Sequence, residues 1–315
     1  MVMLLKVAGE LDAALKEEIG LLAVRGVIPP LITPIDEKER LDTAALRNLI
    51  EHVIAGGVHG VFVLGSTGEF YGLEYEEKVE AVAVTMEQVK GRVPVYVGAS
   101  AITTKECVKL TRLAKEYGAA AVTVLTPMFI TPTESELYTH FRTVAEAADI
   151  PIVLYNNPDR TGVNMSANLV ERLSDVENIV GAKDTSGDMT LTSEYIRRTR
   201  DKGFSIMAGR DTMILATLVY GGTGCVAGTA NVVPSIVVEI YDKFKAGDLA
   251  GALEAQYRLS LLRNAYNLGS FPVVPKDALN LMGINVGHPI KPIEHISDEN
   301  RDKLKAILVS IGAIK

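Results

Sequence analysis

The sequence has little of what several common classes of protein require. Only two of its 315 residues are cysteines, Cys107 and Cys225, and they stand far apart in the chain. They form neither a disulfide framework nor a metal-spaced cluster, so both are expected to be small buried side chains. The five histidines also lack the spacing of metal ligands. We therefore expect no metal site.

Positive charge and long apolar runs are scarce as well. Lys and Arg number 32 against 39 Asp and Glu, a net charge of -7 at pH 7, so a surface that binds nucleic acid is not expected. No run of about twenty apolar residues predicts a membrane helix. Residues 1–23 lack the basic start and the unbroken apolar stretch of a secretory signal. A cytoplasmic protein is the resulting expectation.

The sequence does contain a regular alternation of short apolar runs and amphipathic helical patterns. Predicted strands cover residues 26–33, 58–64, 93–97, 120–125, 150–155, 179–183, 204–208 and 223–227. Eight strands alternating with helices over about 220 residues predict an α/β fold, the (β/α)8 TIM barrel. A doubly wound open sheet is the alternative, but it normally carries a glycine-rich dinucleotide turn after the first strand, and residues 34–37 are not one.

The two ends of the chain predict helices outside the barrel. Helical patterns at residues 233–245, 249–267, 274–282 and 298–311 predict a C-terminal helical extension. Leu11, Leu15 and Leu22 suggest an amphipathic helix that packs on the main body or on a neighbour. The expected organisation is an N-terminal helical extension at residues 1–24, a barrel at 25–232 and a C-terminal helical region at 233–315.

Lys183 is the sharpest chemical signal. It ends the apolar strand 179–183, and the C-terminal strand ends of a parallel barrel are where chemistry is done. A lysine at such a site is desolvated, which favours the neutral amine as a nucleophile able to form a Schiff base with a carbonyl. The alternative is a lysine paired with a carboxylate such as Asp184.

Three further groups are expected at the same mouth of the barrel. Tyr155 ends the preceding strand, where it can relay a proton near an imine or be a core tyrosine with a satisfied hydroxyl. Ser66 and Thr67 lie between two glycines, in a turn that can hold a carboxylate or is a common loop. Arg160 can fork onto a second carboxylate or be a surface arginine. Together with Lys183, this set favours covalent amine chemistry on a small oxo acid.

Three motifs resemble those of a known family. They read Gly-Ser-Thr-Gly-Glu at residues 65–69, Tyr-Asn-Asn-Pro-Asp-Arg-Thr-Gly at 155–162 and Gly-Ala-Lys-Asp at 181–184. They resemble signatures of the dihydrodipicolinate synthase / N-acetylneuraminate lyase family, and the resemblance runs from residue 26 to the C-terminus. It implies a (β/α)8 barrel, a homotetramer built as a pair of dimers, and no cofactor besides the covalent imine with the substrate at Lys183.

The resemblance also implies roles for individual residues. Lys183 matches the lysine that condenses with pyruvate or another 2-oxo acid, and Tyr155 matches the proton-shuttling tyrosine. Ser66 and Thr67 match the pair that holds the pyruvate carboxylate and orients that tyrosine. Two pocket-lining positions are implied at Gly209 and Val226.

Three positions bear on the partner aldehyde and point in different directions. Synthases of the family usually have two tyrosines after Thr-Pro, the second of which crosses the dimer interface into a proton relay. Here that residue is Phe129, which has no hydroxyl. Phe129 and Ser66 favour an aldolase or dehydratase for a 2-keto-3-deoxy sugar acid, or an N-acetylneuraminate lyase-like aldolase. Arg160 matches the arginine that holds the aldehyde's carboxylate, and favours condensation of pyruvate with aspartate semialdehyde.

The expected function is therefore that of a pyruvate-dependent Schiff-base lyase or synthase. A non-catalytic relative that binds an oxo acid for regulation is the alternative from another class. Lys183 and Tyr155 disfavour it, because a binding module needs no desolvated amine.

Overall fold

The computed structural model describes residues 23–315, so the helix predicted within residues 1–22 lies outside the described residues. The strands are β1 (Gly26–Val27), β2 (Val61–Val63), β3 (Val95–Gly98), β4 (Ala121–Leu125), β5 (Ile152–Asn156), β6 (Ile179–Asp184), β7 (Ser205–Ala208) and β8 (Gly224–Cys225). The helices are α1 (Thr43–Ala55), α2 (Tyr75–Val89), α3 (Thr104–Glu116), α4 (Glu134–Glu146), α5 (Pro158–Thr161), α6 (Ala167–Leu173), α7 (Met189–Thr199), α8 (Ile214–Tyr220), α9 (Pro234–Ala246), α10 (Leu249–Asn264), α11 (Val273–Leu281) and α12 (Asp298–Ser310).

The strands form a single parallel sheet that closes on itself. Their order is β1-β8-β7-β6-β5-β4-β3-β2, and a parallel bridge between Pro30 and Phe62 joins the two ends. Phe62 N donates to Pro29 O at 3.0 Å, and Leu31 N donates to Phe62 O at 2.7 Å. The prediction of a (β/α)8 barrel is confirmed.

The strands consist of buried residues, and polar residues cap the N-termini of helices between them. Every residue of the eight strands is buried, as expected when helices cover one face of a parallel sheet and side chains fill its interior. The Thr133 side chain accepts from the backbone N–H of Glu136, whose carboxylate accepts from Thr133 N, so a capping box starts α4. Thr103 likewise accepts from Glu106 N at the start of α3.

Several element boundaries differ from the prediction, and two of them illustrate why. The first strand was predicted at residues 26–33 but has regular ladder pairing only at Gly26–Val27, because Pro29 and Pro30 have no N–H to donate. The helix predicted at residues 249–267 ends at Asn264 and continues as the 3-10 turn Ala265–Leu268.

The helices after β8 reach back to the barrel. Helix α9 packs against α10, and the segment after α11 contacts the loop that follows β1. His288 N donates to Ile35 O at 3.1 Å, and Ile35 N donates to Val286 O at 3.3 Å. The C-terminal region therefore lies beside loops at the mouth of the barrel. In residues 23–315 no helix is both long and apolar enough to span a membrane.

The close pairing of β1 with β8 can be tested at a glycine. Gly224 pairs with Gly26, and a Cβ at Gly224 would lie 2.1 Å from the Gly26 carbonyl oxygen. We expect Gly224→Ala to lower the free energy of unfolding by about 1–3 kcal/mol, because the added methyl forces backbone apart. Urea denaturation measures the change. Gly228→Ala is the control, since its nearest new contact is 3.5 Å away, and equal stability of the two variants would contradict the expectation.

Candidate active site

Strand register places Tyr155 and Lys183 side by side. On β5 and β6, Tyr155 pairs with Lys183 and Asn156 pairs with Asp184. Because side chains alternate along a strand, the first pair faces the barrel interior and the second faces away from it. Lys183 Nζ lies 3.9 Å from the centroid of the Tyr155 ring and 5.7 Å from that of Phe62. Lys183 and Tyr155 are each only 4% exposed.

The carboxylate of Asp184 is engaged elsewhere and does not pair with Lys183. It accepts hydrogen bonds from Asn156 Nδ2 at 3.0 Å, from Ser186 Oγ at 2.8 Å and from Thr192 Oγ1 at 2.5 Å. Within residues 23–315, Lys183 makes no ion pair with a carboxylate. The alternative of a Lys183–Asp184 pair is therefore wrong for this structure, and the buried amine is available for chemistry.

The hydroxyl of Tyr155 is surrounded by donors. Asn157 Nδ2 donates to it at 2.9 Å, and Ser66 and Lys183 are within hydrogen-bonding reach. Burial by itself raises the pKa of Tyr155, but the Lys183 ammonium and these hydrogen bonds outweigh it, so the pKa lies below its ordinary value. The phenol is therefore linked directly to the amine and to the glycine-flanked turn.

The Ser66–Gly68 turn follows β2 as a single 3-10 turn. Ser66 and Thr67 are each 7% exposed, so both side chains are buried, and Ser66 also lines the cavity over the turn. A Cβ at Gly68 would lie 2.6 Å from the Leu31 carbonyl oxygen, so this close approach requires glycine. The hydroxyls and N–H groups of such a turn suit a small carboxylate.

A cavity of about 210 Å³ opens over this turn. It is lined by Ser66, Phe70, Tyr71, Leu125, Met128, Arg160, Thr161 and Phe271. The Arg160 guanidinium carbon lies 4.6 Å from the centroid of the Phe271 ring. Burial raises the pKa of Tyr71 to about 12, with Glu69 adding to the rise and Arg160 opposing it. Ser66 and Arg160 thus line one small cavity, which combines the glycine-flanked turn with a cation.

The remaining sequence-predicted site residues differ in their placement. A Cβ at Gly209 would lie 3.0 Å from Lys183 Cε, so this glycine borders the amine. Val226 is buried in the barrel interior in a cluster that includes Phe62. Phe129 is 93% exposed with φ of 70°, and its neighbour Met128, not Phe129, lines the cavity.

Some residues of the site were missed by sequence reasoning. Asn157 directly follows β5, and its position after the strand end was a usable signal. Phe271 comes from the C-terminal region, and nothing in its local sequence indicates that it lies against Arg160. The hydroxyl of Tyr266 is buried without a hydrogen-bond partner, near Gly228. In the described part of the chain, no group of three or more His, Cys, Asp or Glu could hold a metal ion.

Comparison with known proteins identifies the family of the chain. A model of the Dihydrodipicolinate synthetase family matches residues 23–311. The chain belongs to that family. A 4-hydroxy-tetrahydrodipicolinate synthase of Methanoculleus marisnigri is 40% identical over 289 residues, which cover 91% of this chain and 99% of the relative. The synthase of Methanopyrus kandleri is 34% identical over 293 residues, covering 92% of this chain and 97% of the relative.

Solved structures give the same result for the fold. The dihydrodipicolinate synthase of Thermotoga maritima superposes with a TM-score of 0.90 at 32% identity, covering 93% of this chain and 100% of that one. A prophage protein of the family from E. coli K12, solved in complex with pyruvate, gives a TM-score of 0.89 at 30% identity, again covering 93% and 100%. Family members are lyases of the class I aldolase type, so the chain is an enzyme of this class.

The lowering of the Tyr155 pKa by Lys183 can be tested by titration. In Lys183→Met the phenol stays buried but loses the ammonium that favours its ionised form, so we expect the pKa of Tyr155 to rise. The absorbance of phenolate against pH reports the change. Subtracting the curves of Tyr155→Phe and of Tyr155→Phe/Lys183→Met isolates this residue from the other tyrosines. A pKa of Tyr155 that stays the same without Lys183 would contradict the coupling.

Proposed function

We propose that the chain condenses pyruvate with aspartate semialdehyde to form 4-hydroxy-tetrahydrodipicolinate, through a Schiff base on Lys183. The observation that carries this proposal is the buried Lys183 amine, which has no carboxylate partner among residues 23–315 and lies against the Tyr155 ring. The relatives that bear the name of this synthase support the choice of reaction. The required small molecules are a 2-oxo acid and an aldehyde.

The chemistry begins with attack of Lys183 Nζ on the carbonyl carbon of pyruvate. The carbinolamine loses water to give an imine, which requires protons to leave the nitrogen and reach the departing oxygen. Tyr155 serves as the proton carrier, because its lowered pKa and its contact with Lys183 suit it to both directions of transfer. Loss of a proton from the pyruvate methyl then gives an enamine, whose methylene carbon adds to the aldehyde carbon while the aldehyde oxygen takes up a proton to become the 4-hydroxyl. The amino group of the semialdehyde then attacks the imine carbon and expels Lys183, which closes the ring and frees the enzyme.

In this scheme, different residues bind the carboxylates of the two substrates. Ser66 and Thr67 bind the pyruvate carboxylate through the glycine-flanked turn, while Gly209 and Val226 shape the pocket around the imine. Arg160 shares the cavity with Ser66, where its guanidinium can bind the aldehyde's own carboxylate bidentately. This arrangement favours aspartate semialdehyde over a neutral sugar aldehyde.

Phe129 favours a second candidate function. It stands where a relay tyrosine is expected, has no hydroxyl and is 93% exposed. An aldolase that acts on a 2-keto-3-deoxy sugar acid, or an N-acetylneuraminate lyase-like aldolase, would use the same Lys183 imine without that relay. The two candidates share the pyruvate half of the reaction and differ in the aldehyde.

The assembly and organisation proposed here follow from the family. We infer a homotetramer built as a pair of dimers. In this assembly a neighbouring copy covers the exposed Phe129, and the side chain of Phe129 then contributes to the aldehyde side of a pocket at the interface. The proposed division is an N-terminal extension at residues 1–24, a barrel at 25–232 and a C-terminal helical region at 233–315, in a cytoplasmic enzyme.

Substitution of Arg160 distinguishes the two aldehydes. We expect Arg160→Ala to raise the KM for aspartate semialdehyde roughly ten- to a hundredfold and to leave the KM for pyruvate nearly unchanged, the usual effect of losing a charge-assisted hydrogen bond. Steady-state kinetics with pyruvate and a panel of aldehydes measures both constants. Arg210→Ala is the matched control, because Arg210 pairs with Asp159 at the surface.

The panel also decides between the candidates. If a sugar aldehyde is the better substrate and its KM is unchanged in Arg160→Ala, the aldolase is the correct function. An Arg160→Ala variant with an unchanged KM for every aldehyde would refute the carboxylate-binding role of Arg160.

A further inference from the structure

The glycine-flanked turn ends in a residue with an unusual backbone. Glu69 has φ of 51° and ψ of 35°, the left-handed region that residues other than glycine rarely adopt. Its N–H donates to the Ser66 carbonyl oxygen at 3.1 Å, which closes the turn. The conformation of Glu69 and the placement of the Ser66 and Thr67 hydroxyls are therefore linked.

A buried ion pair holds the Glu69 side chain. The ammonium of Lys276, on α11, lies against Glu69 Oε2, and both side chains are 0% exposed. Glu69 Oε2 has no other hydrogen-bond partner. Burial lowers the pKa of Lys276 below its ordinary value, and the Glu69 carboxylate opposes this effect. Neither charge has access to solvent, so each depends on the other.

Two backbone groups after α11 complete this arrangement. Ile290 N donates to Glu69 Oε1 at 2.8 Å, and Lys276 Nζ donates to the His288 carbonyl oxygen at 2.6 Å. On the opposite side of the turn, Thr33 Oγ1 donates to the Gly68 carbonyl oxygen at 2.6 Å. The turn is thus held between the C-terminal region and the loop after β1.

Stability alone is a weak explanation for a buried ion pair. Desolvation of two charges offsets much of their attraction, and a well-packed neutral pair of similar volume is often as stable. An apolar pair cannot supply directional contacts that hold the backbone in one geometry. This pair lies at the end of the turn that carries Ser66, so the backbone geometry that it holds is that of the turn.

We propose that the Glu69–Lys276 ion pair positions the Ser66–Thr67 turn to bind the carboxylate of the 2-oxo acid, so that α11 controls pyruvate binding without contacting it. This inference rests on the proposed function of the site. Glu69 and Lys276 are positioning residues that act through Ser66 and Thr67.

The test separates positioning from stability with a neutral pair. Glu69→Gln and Lys276→Met each leave one buried charge without its partner, so we expect both to lower the Tm. The double variant Glu69→Gln/Lys276→Met has no unpaired charge and should recover most of the lost Tm. Its KM for pyruvate should nevertheless stay about tenfold or more above wild type, the size expected for weakened binding of a carboxylate, with the KM for the aldehyde nearly unchanged.

Asp277→Asn is the matched control. It makes the same carboxylate-to-amide change as Glu69→Gln, on the residue next to Lys276, but Asp277 accepts hydrogen bonds from His295 and the Ile296 backbone. Its KM for pyruvate should equal that of wild type. Pyruvate-dependent trapping with borohydride gives a second readout, in which the concentration for half-maximal adduct rises in the double variant and not in the control.

Three results overturn the inference. A double variant that regains both its Tm and the wild-type KM for pyruvate shows that the pair is purely structural. An equal rise in the KM for pyruvate in Asp277→Asn shows a general loosening of the C-terminal region. Wild-type protein that forms no adduct with pyruvate refutes the proposed function itself, and the positioning role with it.

Discussion

The site depends on one constraint, the parallel register that brings Tyr155 and Lys183 to the same level of β5 and β6. The alternation of strand side chains turns both residues into the barrel and turns Asp184 out of it. Lys183 therefore lies against the rings of Tyr155 and Phe62 and apart from the adjacent carboxylate. A shift of one residue in either strand would exchange these faces and bury the carboxylate beside the wrong partners.

The groups around this pair form two layers with different tasks. The inner layer consists of Ser66, Asn157 and Gly209. Ser66 and Asn157 hydrogen-bond the phenol of Tyr155, and Gly209 leaves room beside the amine of Lys183. Arg160 stands in the outer layer near the mouth, where it remains accessible for a second carboxylate. In the proposed reaction, the inner layer serves the 2-oxo acid that forms the imine, whereas Arg160 in the outer layer selects the aldehyde.

The sequence predicted those features that depend on local pattern. Buried strands were readable as apolar runs, and Tyr155 and Lys183 were readable as polar residues at neighbouring strand ends of a parallel barrel. The short β1 was not, because the effect of Pro29 and Pro30 on pairing depends on which neighbours they meet. Local patterns do not predict the ion pair between Glu69 and Lys276, because the two residues are far apart in the chain and meet only when α11 packs on the barrel.

The most direct test of the central claim is reductive trapping at Lys183. Protein incubated with pyruvate and borohydride should gain the mass of one reduced pyruvate adduct per chain, and peptide mapping should place that adduct on Lys183. Lys183→Met should gain none, even though its other lysines are intact. An adduct that persists in this variant, or wild-type protein that forms no adduct, would contradict the assignment of Lys183 as the Schiff-base residue.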